Sequence, residues 1–168
     1  LSGITLAVLE GAGRANLHTA LTRARAAGAL LVFDPNLRPR LWPDTATMCA
    51  AVMEAAALSD IVLPSHEDEA TFFADADLHA TANRYAQAGA GLVVVKNGGG
   101  VMLTLHAGDH ALHTPEKVAR IVDTTAAGDS FNAGFLAAHL TGAALADAIR
   151  CGARLAARVI GQRGALCA

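Results

Sequence analysis

The feature that most restricts this chain is an alternation. Short apolar runs end at a proline, an aspartate or a glycine, and each is followed by a longer stretch of helical composition. Residues 4–9 and 29–33 are short and apolar, with a helix-like 15–27 between them that stops at Gly28; this predicts a βαβ unit. Asp44 then caps a helix through about residue 58, 61–63 forms a strand stopped by Pro64, and 67–73 and 78–88 read as helices. Residues 91–96 form the clearest buried strand, and 101–105 with 110–113, separated by Ala107-Gly108-Asp109, read as a hairpin. Helices over about 126–141 and 143–161 finish the chain. The alternation predicts an α/β architecture with a mostly parallel central sheet flanked by helices, and ligands outside the carboxyl ends of its strands.

Composition narrows the function classes. With 168 residues, one domain over 1–168 is expected; 53% are hydrophobic and only 4% aromatic, so the core is built from Ala, Val and Leu and disorder is excluded. A formal net charge of −2, with no cluster of Lys or Arg, gives no electrostatic footprint for nucleic acid or an anionic membrane. Any bound anion must therefore be held locally. The longest uncharged stretch, 130–146, carries Ser, Asn, His and Thr and reads as a buried helix rather than a membrane span. No secretory leader pattern is present, so the cytoplasm is the expected compartment. Cys49, Cys151 and Cys167 are scattered without a CxxC, which predicts small apolar or free thiols and neither a disulfide framework nor a zinc ribbon. The chain opens on Leu1 inside an apolar run, so it is expected to be a portion of something longer.

Three loops that follow strands carry the chemistry. The strongest is 122–135, where small residues Ala126, Ala127 and Gly128 let the backbone turn and expose N–H groups at a helix start, a cradle for phosphate. Asp129 beside such a cradle would be repelled by bound phosphate unless it accepts a proton from a hydroxyl attacking phosphorus. The structural alternative is that Asp123 or Asp129 only caps the helix. The second loop is Asp34-Pro35-Asn36-Leu37-Arg38, in which Asp34, Asn36 and Arg38 alternate along an extended segment and project the same way. Arg38 can pair bidentately with carboxylate or phosphate, or else be held by Asp34 in a structural turn. The third, 63–70, clusters carboxylates that suit Mg²⁺ with retained waters, or equally a solvated helix start.

The string Asp123-Thr124-Thr125-Ala126-Ala127-Gly128-Asp129-Ser130-Phe131 resembles the C-terminal signature of the PfkB/ribokinase-like carbohydrate kinases. The resemblance extends over essentially all 168 residues and implies a ribokinase-like three-layer αβα fold with its N-terminal half and lid absent. This chain alone is then expected to be a poor kinase, the whole form a homo-oligomer. The resemblance implies Asp129 as catalytic base and the amides of Ala126, Ala127 and Gly128 as anion hole, with Ala126 where many members have Gly. Asp123 and Thr125 resemble positions that help to bind a monovalent cation such as K⁺ in some members.

Further along the same resemblance, Asp34-x-Asn36-x-Arg38 followed by Pro39 and Leu41-Trp42 is similar to the branch that phosphorylates 2-keto-3-deoxygluconate, with Arg38 near the sugar acid and the incoming phosphate. Asp34, Asn36, Arg38 and Asp129 are thus the implied substrate contacts. Relatives carry Asn-x-x-Glu for Mg²⁺ and phosphate in the third loop; here the pattern is Ser65-x-x-Asp68 or, in another register, His66-x-x-Glu69, so Asp68 and Glu69 are the implied metal residues. Lys96, Gly98 and Gly100 resemble the nucleotide-binding K-x-G loop, although three glycines also suit a plain hairpin turn; with Ala127, Gly128 and Asn132 they are the implied ATP contacts. The implied reaction moves the γ-phosphate of Mg-ATP to the carbon-six hydroxyl of 2-dehydro-3-deoxygluconate, with a ribokinase, a fructokinase or a nucleotide-binding remnant as alternatives.

Competing motifs are weaker. Gly11-Ala12-Gly13 invites a dinucleotide reading, but the third glycine position is Asn16. His106, His110 and His113 fall on the expected hairpin, where surface histidines are commoner than ligands. No GxxxxGK[ST] occurs, which excludes a P-loop NTPase.

Overall fold

The structure, a computed structural model, describes residues 1–118 and 120–165, and Cys167 lies outside the described residues. Two compact units are distinguished. Leu1–Asn97 with Met102–Leu112 form the first, and Gly98–Val101 with His113–Ala168 the second.

The first unit is built on a sheet in the order β1 (Val32–Phe33), β2 (Ile61–Val62), β3 (Leu92–Val95), β4 (Met102–His106), β5 (Asp109–His113). The first three strands are parallel, with Val32 opposite Ile61 and Ile61 opposite Leu92, and β4 runs antiparallel to β3. Ala107 and Gly108, both at positive φ, turn β4 into β5, so the expected hairpin is present. Side chains alternate across the strands, and Phe33, Val62, Val93, Val95, Leu103 and Leu105 share one face. That face packs on α3 (Thr45–Leu58) through Met48, Val52, Ala55 and Ala56, and on α5 (Leu78–Ala88) through Ala82 and Tyr85. The alanines let the helices approach the sheet closely, which a nearly aromatic-free composition requires. Both helices start where expected. Asp44 accepts from Thr47 N at 2.7 Å, and Asp77 accepts from Ala80 N at 2.8 Å.

One expected strand is overturned. Residues 4–9 do not extend; Gly3–Val8 form a short helix, α1, with Ser2 as its cap, accepting from Ile4 N at 3.3 Å. Strand character contracts to a parallel bridge between Ser2 and Asp34. At the crossing the Gly3 N–H donates to Asp34 O at 2.9 Å, and a Cβ there would lie 1.8 Å from Pro35 O, so only glycine permits this approach, from which the Ser2-capped helix departs. Leu6 is then buried against α3, a contact a strand in this place would not make. The opening βαβ unit is therefore a helix pair, α1 and α2 (Ala12–Ala26), leading into β1. Between α3 and α5 lies α4 (His66–Phe73), which follows β2.

The second unit pairs α6 (Ala127–Leu140) with α7 (Leu145–Ile160). The two cross through glycines: a Cβ at Gly134 would meet Cys151 O at 2.8 Å, and one at Gly152 would meet Phe131 O at 2.8 Å. Phe131 and Phe135 are buried and stack along α6. Cys49 in the first unit is half-buried and Cys151 in the second is exposed, both as free thiols.

Candidate functional site

Because β1, β2 and β3 are parallel, the loops after them leave the same edge of the sheet. Asp34 follows β1, the 65–68 segment follows β2, and Lys96 follows β3. Lys96 Nζ lies 3.0 Å from Asp34 Oδ2, with only 10% and 14% of the two side chains exposed. Asp34 Oδ1 also accepts from Asn36 N at 3.1 Å. This small turn carries Asn36 to φ +38, so the segment is not regularly extended, yet burial still alternates along it: Pro35 and Leu37 are buried, while Asp34 and Asn36 are half-buried and Arg38 is exposed. Beyond it Arg38 is exposed, with Nη1 donating to Leu37 O at 2.7 Å.

Asp68 completes the cluster. Burial raises its carboxyl above the ordinary value against the pull of Arg38, while Glu67 and Asp34 push it further up and Lys96 draws it down. Asp34, Arg38, Asp68 and Lys96 therefore share one electrostatic neighbourhood, as their positions after successive parallel strands anticipate. Among the described residues no group of three or more His, Cys, Asp or Glu side chains could hold a metal. A single half-buried carboxylate fits Mg²⁺ in the way that ion is used with phosphates, one protein oxygen plus waters and substrate oxygens.

Glu69, the next residue, does not join this cluster. Its side chain is fully buried; Oε2 accepts from Arg84 Nη2 at 2.6 Å and from the Tyr85 hydroxyl at 2.9 Å. Burial pushes its carboxyl up to about 7, outweighing the pull of Arg84. Arg84 also reaches Asp75 through Nη2 at 2.7 Å and through Nε at 3.1 Å, and its guanidinium lies 3.7 Å from the Phe73 ring centroid. Sequence reasoning missed this network. The available signal was an arginine next to the tyrosine that buries α5.

In the second unit, the loop before α6 is folded by Asp123, whose Oδ1 accepts from Thr125 N at 2.8 Å and Oδ2 from Gly164 N at 3.0 Å. Bonds from Thr125, first its side chain and then its amide, hold this carboxyl below the ordinary range, with Gly164 adding to them. Asp123 is thus a loop staple, and the K⁺ role implied for Asp123 and Thr125 would use lone pairs left over from it. Ala126 takes the left-handed conformation, φ 60 and ψ 16, as the cap residue of α6. Ala127 N turns back to Thr124 O at 3.1 Å, and Ser130 N reaches Ala126 O at 2.9 Å. Of the three amides expected to form the anion hole, that of Ala127 is thus engaged, and among the described residues those of Ala126 and Gly128, with the amide of Asp129, have no acceptor. Asp129 is exposed in that turn, and Asn132 sits one turn on, half-buried. Gly98, at φ +53, and Gly100 lie in the loop between β3 and β4.

A family model described as "pfkB family carbohydrate kinase" matches residues 1–167. The chain is 38% identical to the 2-dehydro-3-deoxygluconokinase of Dickeya dadantii over 99% of its own length and 54% of that protein. It is 37% identical to the Escherichia coli K12 protein of the same name, again over 99% of this chain and 55% of the relative. The chain thus spans about half the length of the curated relatives it matches. Among solved structures, a PfkB protein from Polaromonas superposes with a TM-score of 0.85 at 30% identity, covering 95% of this chain and 52% of that one. The Vibrio cholerae fructokinase solved with fructose, ADP and calcium gives 0.86 at 25% identity, covering 98% of this chain and 55% of its own. The expected ribokinase-like α/β fold is the fold observed. A family match across residues 1–167, together with that shared fold, makes this chain a member of the pfkB family of carbohydrate kinases.

Proposed function

We propose that the whole protein containing this chain phosphorylates 2-dehydro-3-deoxy-D-gluconate at its carbon-six hydroxyl, with ATP as donor. The observation that carries the reading is the exposed Asp129 in a helix turn whose Gly128 and Asp129 amides have no acceptor among the described residues. In this reading Asp129 accepts the hydroxyl proton, the freed oxygen forms a bond to the γ-phosphorus, the β–γ bridging bond breaks, and ADP leaves. The open amides and the positive end of α6 stabilise charge on the transferred group. Mg²⁺, when bound, neutralises phosphate oxygens, and Asp68 is the residue that would hold it.

The sugar-acid assignment rests on the relatives named 2-dehydro-3-deoxygluconokinase and on Arg38, an exposed guanidinium suited to a carboxylate. A second reading, a neutral-sugar kinase, is favoured by a Vibrio alginolyticus fructokinase that is 38% identical over 74% of this chain. ADP release by the whole protein, measured with 2-dehydro-3-deoxygluconate, its galacto epimer, fructose and ribose, separates them. The proposal expects the sugar acid to give the highest kcat/KM. A preference for fructose would replace it with the second reading, and ADP release that no sugar stimulates would overturn both.

A further inference from the structure

Asp68 and Glu69 are adjacent in the first turn of α4, yet they face different worlds. Asp68 lies in the field of Arg38, Asp34 and Lys96. Glu69 is buried against α5. The helix that carries them has eight residues, its cap residue Ser65 makes no side-chain cap bond, and its first turn holds three acids. A helix that short is marginal by itself, so its rotation about its own axis must be set by tertiary contacts. His66 contributes at the first turn, with its N–H donating to Lys96 O at 2.8 Å and Nδ1 3.1 Å from Thr81 Oγ1, and Phe72 and Phe73 pack on the core, but Arg84 is the side chain that reaches both ends. One guanidinium binds Glu69 in the first turn, stacks on Phe73 in the last, and grips Asp75 just beyond it.

An apolar side chain would serve stability at position 69 as well as a buried ion pair or better. What a directional bond adds is a fixed orientation. Since successive helical residues are about 100° apart, clamping Glu69 inward fixes where Asp68 points. Glu69 Oε1, buried and without a hydrogen-bond partner among the described residues, fits a residue retained for direction rather than for full satisfaction.

We propose that Glu69, held by Arg84 and Tyr85, is a positioning residue that aims Asp68 at the cation and phosphate cluster after the strands. This rests on the kinase reading above for the identity of what Asp68 meets. It assigns Glu69 the opposite of the role its carboxylate suggests, since it holds the metal-facing residue in place rather than being one.

The test is a double-mutant cycle in the whole protein with Glu69→Leu, Asp68→Asn and both together. Two quantities are read: Mn²⁺ affinity by equilibrium dialysis, and the Mg²⁺ concentration giving half-maximal phosphotransfer, with KM for the sugar as control. Glu69→Leu is expected to weaken both metal readings about ten-fold with sugar KM nearly unchanged, and to add nothing once Asp68 is Asn. Glu69→Gln, which keeps an acceptor for Arg84 and Tyr85, should restore most of the loss. Unchanged metal dependence in Glu69→Leu, or effects of the two substitutions that multiply, would overturn the proposal. Should Glu69→Leu fail to fold, the paired Glu69→Leu/Arg84→Met variant takes its place in the same cycle. A wild type without sugar-dependent ADP release sinks the kinase reading alone, and the Mn²⁺ cycle still decides the positioning role.

Discussion

The starts of α4 and α6 make an instructive pair. Each helix carries an aspartate as its third residue, Asp68 in one and Asp129 in the other, and each follows a loop that the sequence marks as polar. Around α4 the charge is enclosed: Glu69 is sealed under Arg84, and Asp68 is half-buried among Arg38, Asp34 and Lys96. Around α6 it is left open. Asp129 is exposed, and the loop before it is organised by backbone bonds to Asp123 rather than by ion pairs. The lesson is that an acidic helix start carries no fixed meaning. A neighbouring arginine turns it into an anchor, whereas small residues that expose amides leave it available for chemistry.

Removing the open carboxylate should have the largest effect on rate and little on folding. Asp129→Asn in the whole protein is expected to lower kcat by about 10²–10⁴-fold while ADP affinity, measured calorimetrically, stays unchanged. Undiminished turnover would erase the contrast between the two helices. The enclosed side should respond the other way. Arg84→Met leaves Glu69 and Asp75 without their cation and is expected to destabilise by about 3–5 kcal/mol in urea unfolding at pH 8; an unmoved midpoint would show the clamp to be idle.

The pH dependence sharpens the same comparison. Glu69 holds its proton up to about 7 in the folded protein against an ordinary value of 4.5. The folded state therefore binds more protons than the unfolded one between these values, and stability falls as pH rises through that window. Relative to Glu69→Gln, the wild type should lose about 1–3 kcal/mol between pH 4.5 and 8 by unfolding midpoints at each pH; parallel curves would contradict the raised value. The smallest effect belongs to the open loop. Ala126 is left-handed, φ 60, a conformation that costs a Cβ-bearing residue about 1 kcal/mol. Ala126→Gly should raise thermal stability by at most about that amount, and a fall would mean that Ala126 is held by packing.

Much of the fold was legible because it is periodic. The cap at Asp44, the helix over 78–88, the buried 91–96 run and the two closing helices follow from local rules that need no partner. The opening segment was not legible, because 4–9 is too short for period to separate helix from strand, and its close crossing at Gly3 and the burial of Leu6 against α3 are tertiary contacts. In the site, Asp34, Asp68 and Lys96 could be anticipated as neighbours, since parallel strands bring their following loops to one edge. The bend at Asn36 could not, because it depends on Asp34 Oδ1 accepting a local amide while Oδ2 is held by Lys96 from sixty-two residues away.

Sequence alone determined the class of fold, the positions of the polar loops and the string from Asp123 to Phe131 that marks the family, because each is a local pattern of period, punctuation and residue type. Only tertiary structure decided which acids are anchors and which are free. Asp68 and Glu69 are one residue apart and chemically alike, and what separates them is Arg84, brought beside the helix by packing that no local rule contains.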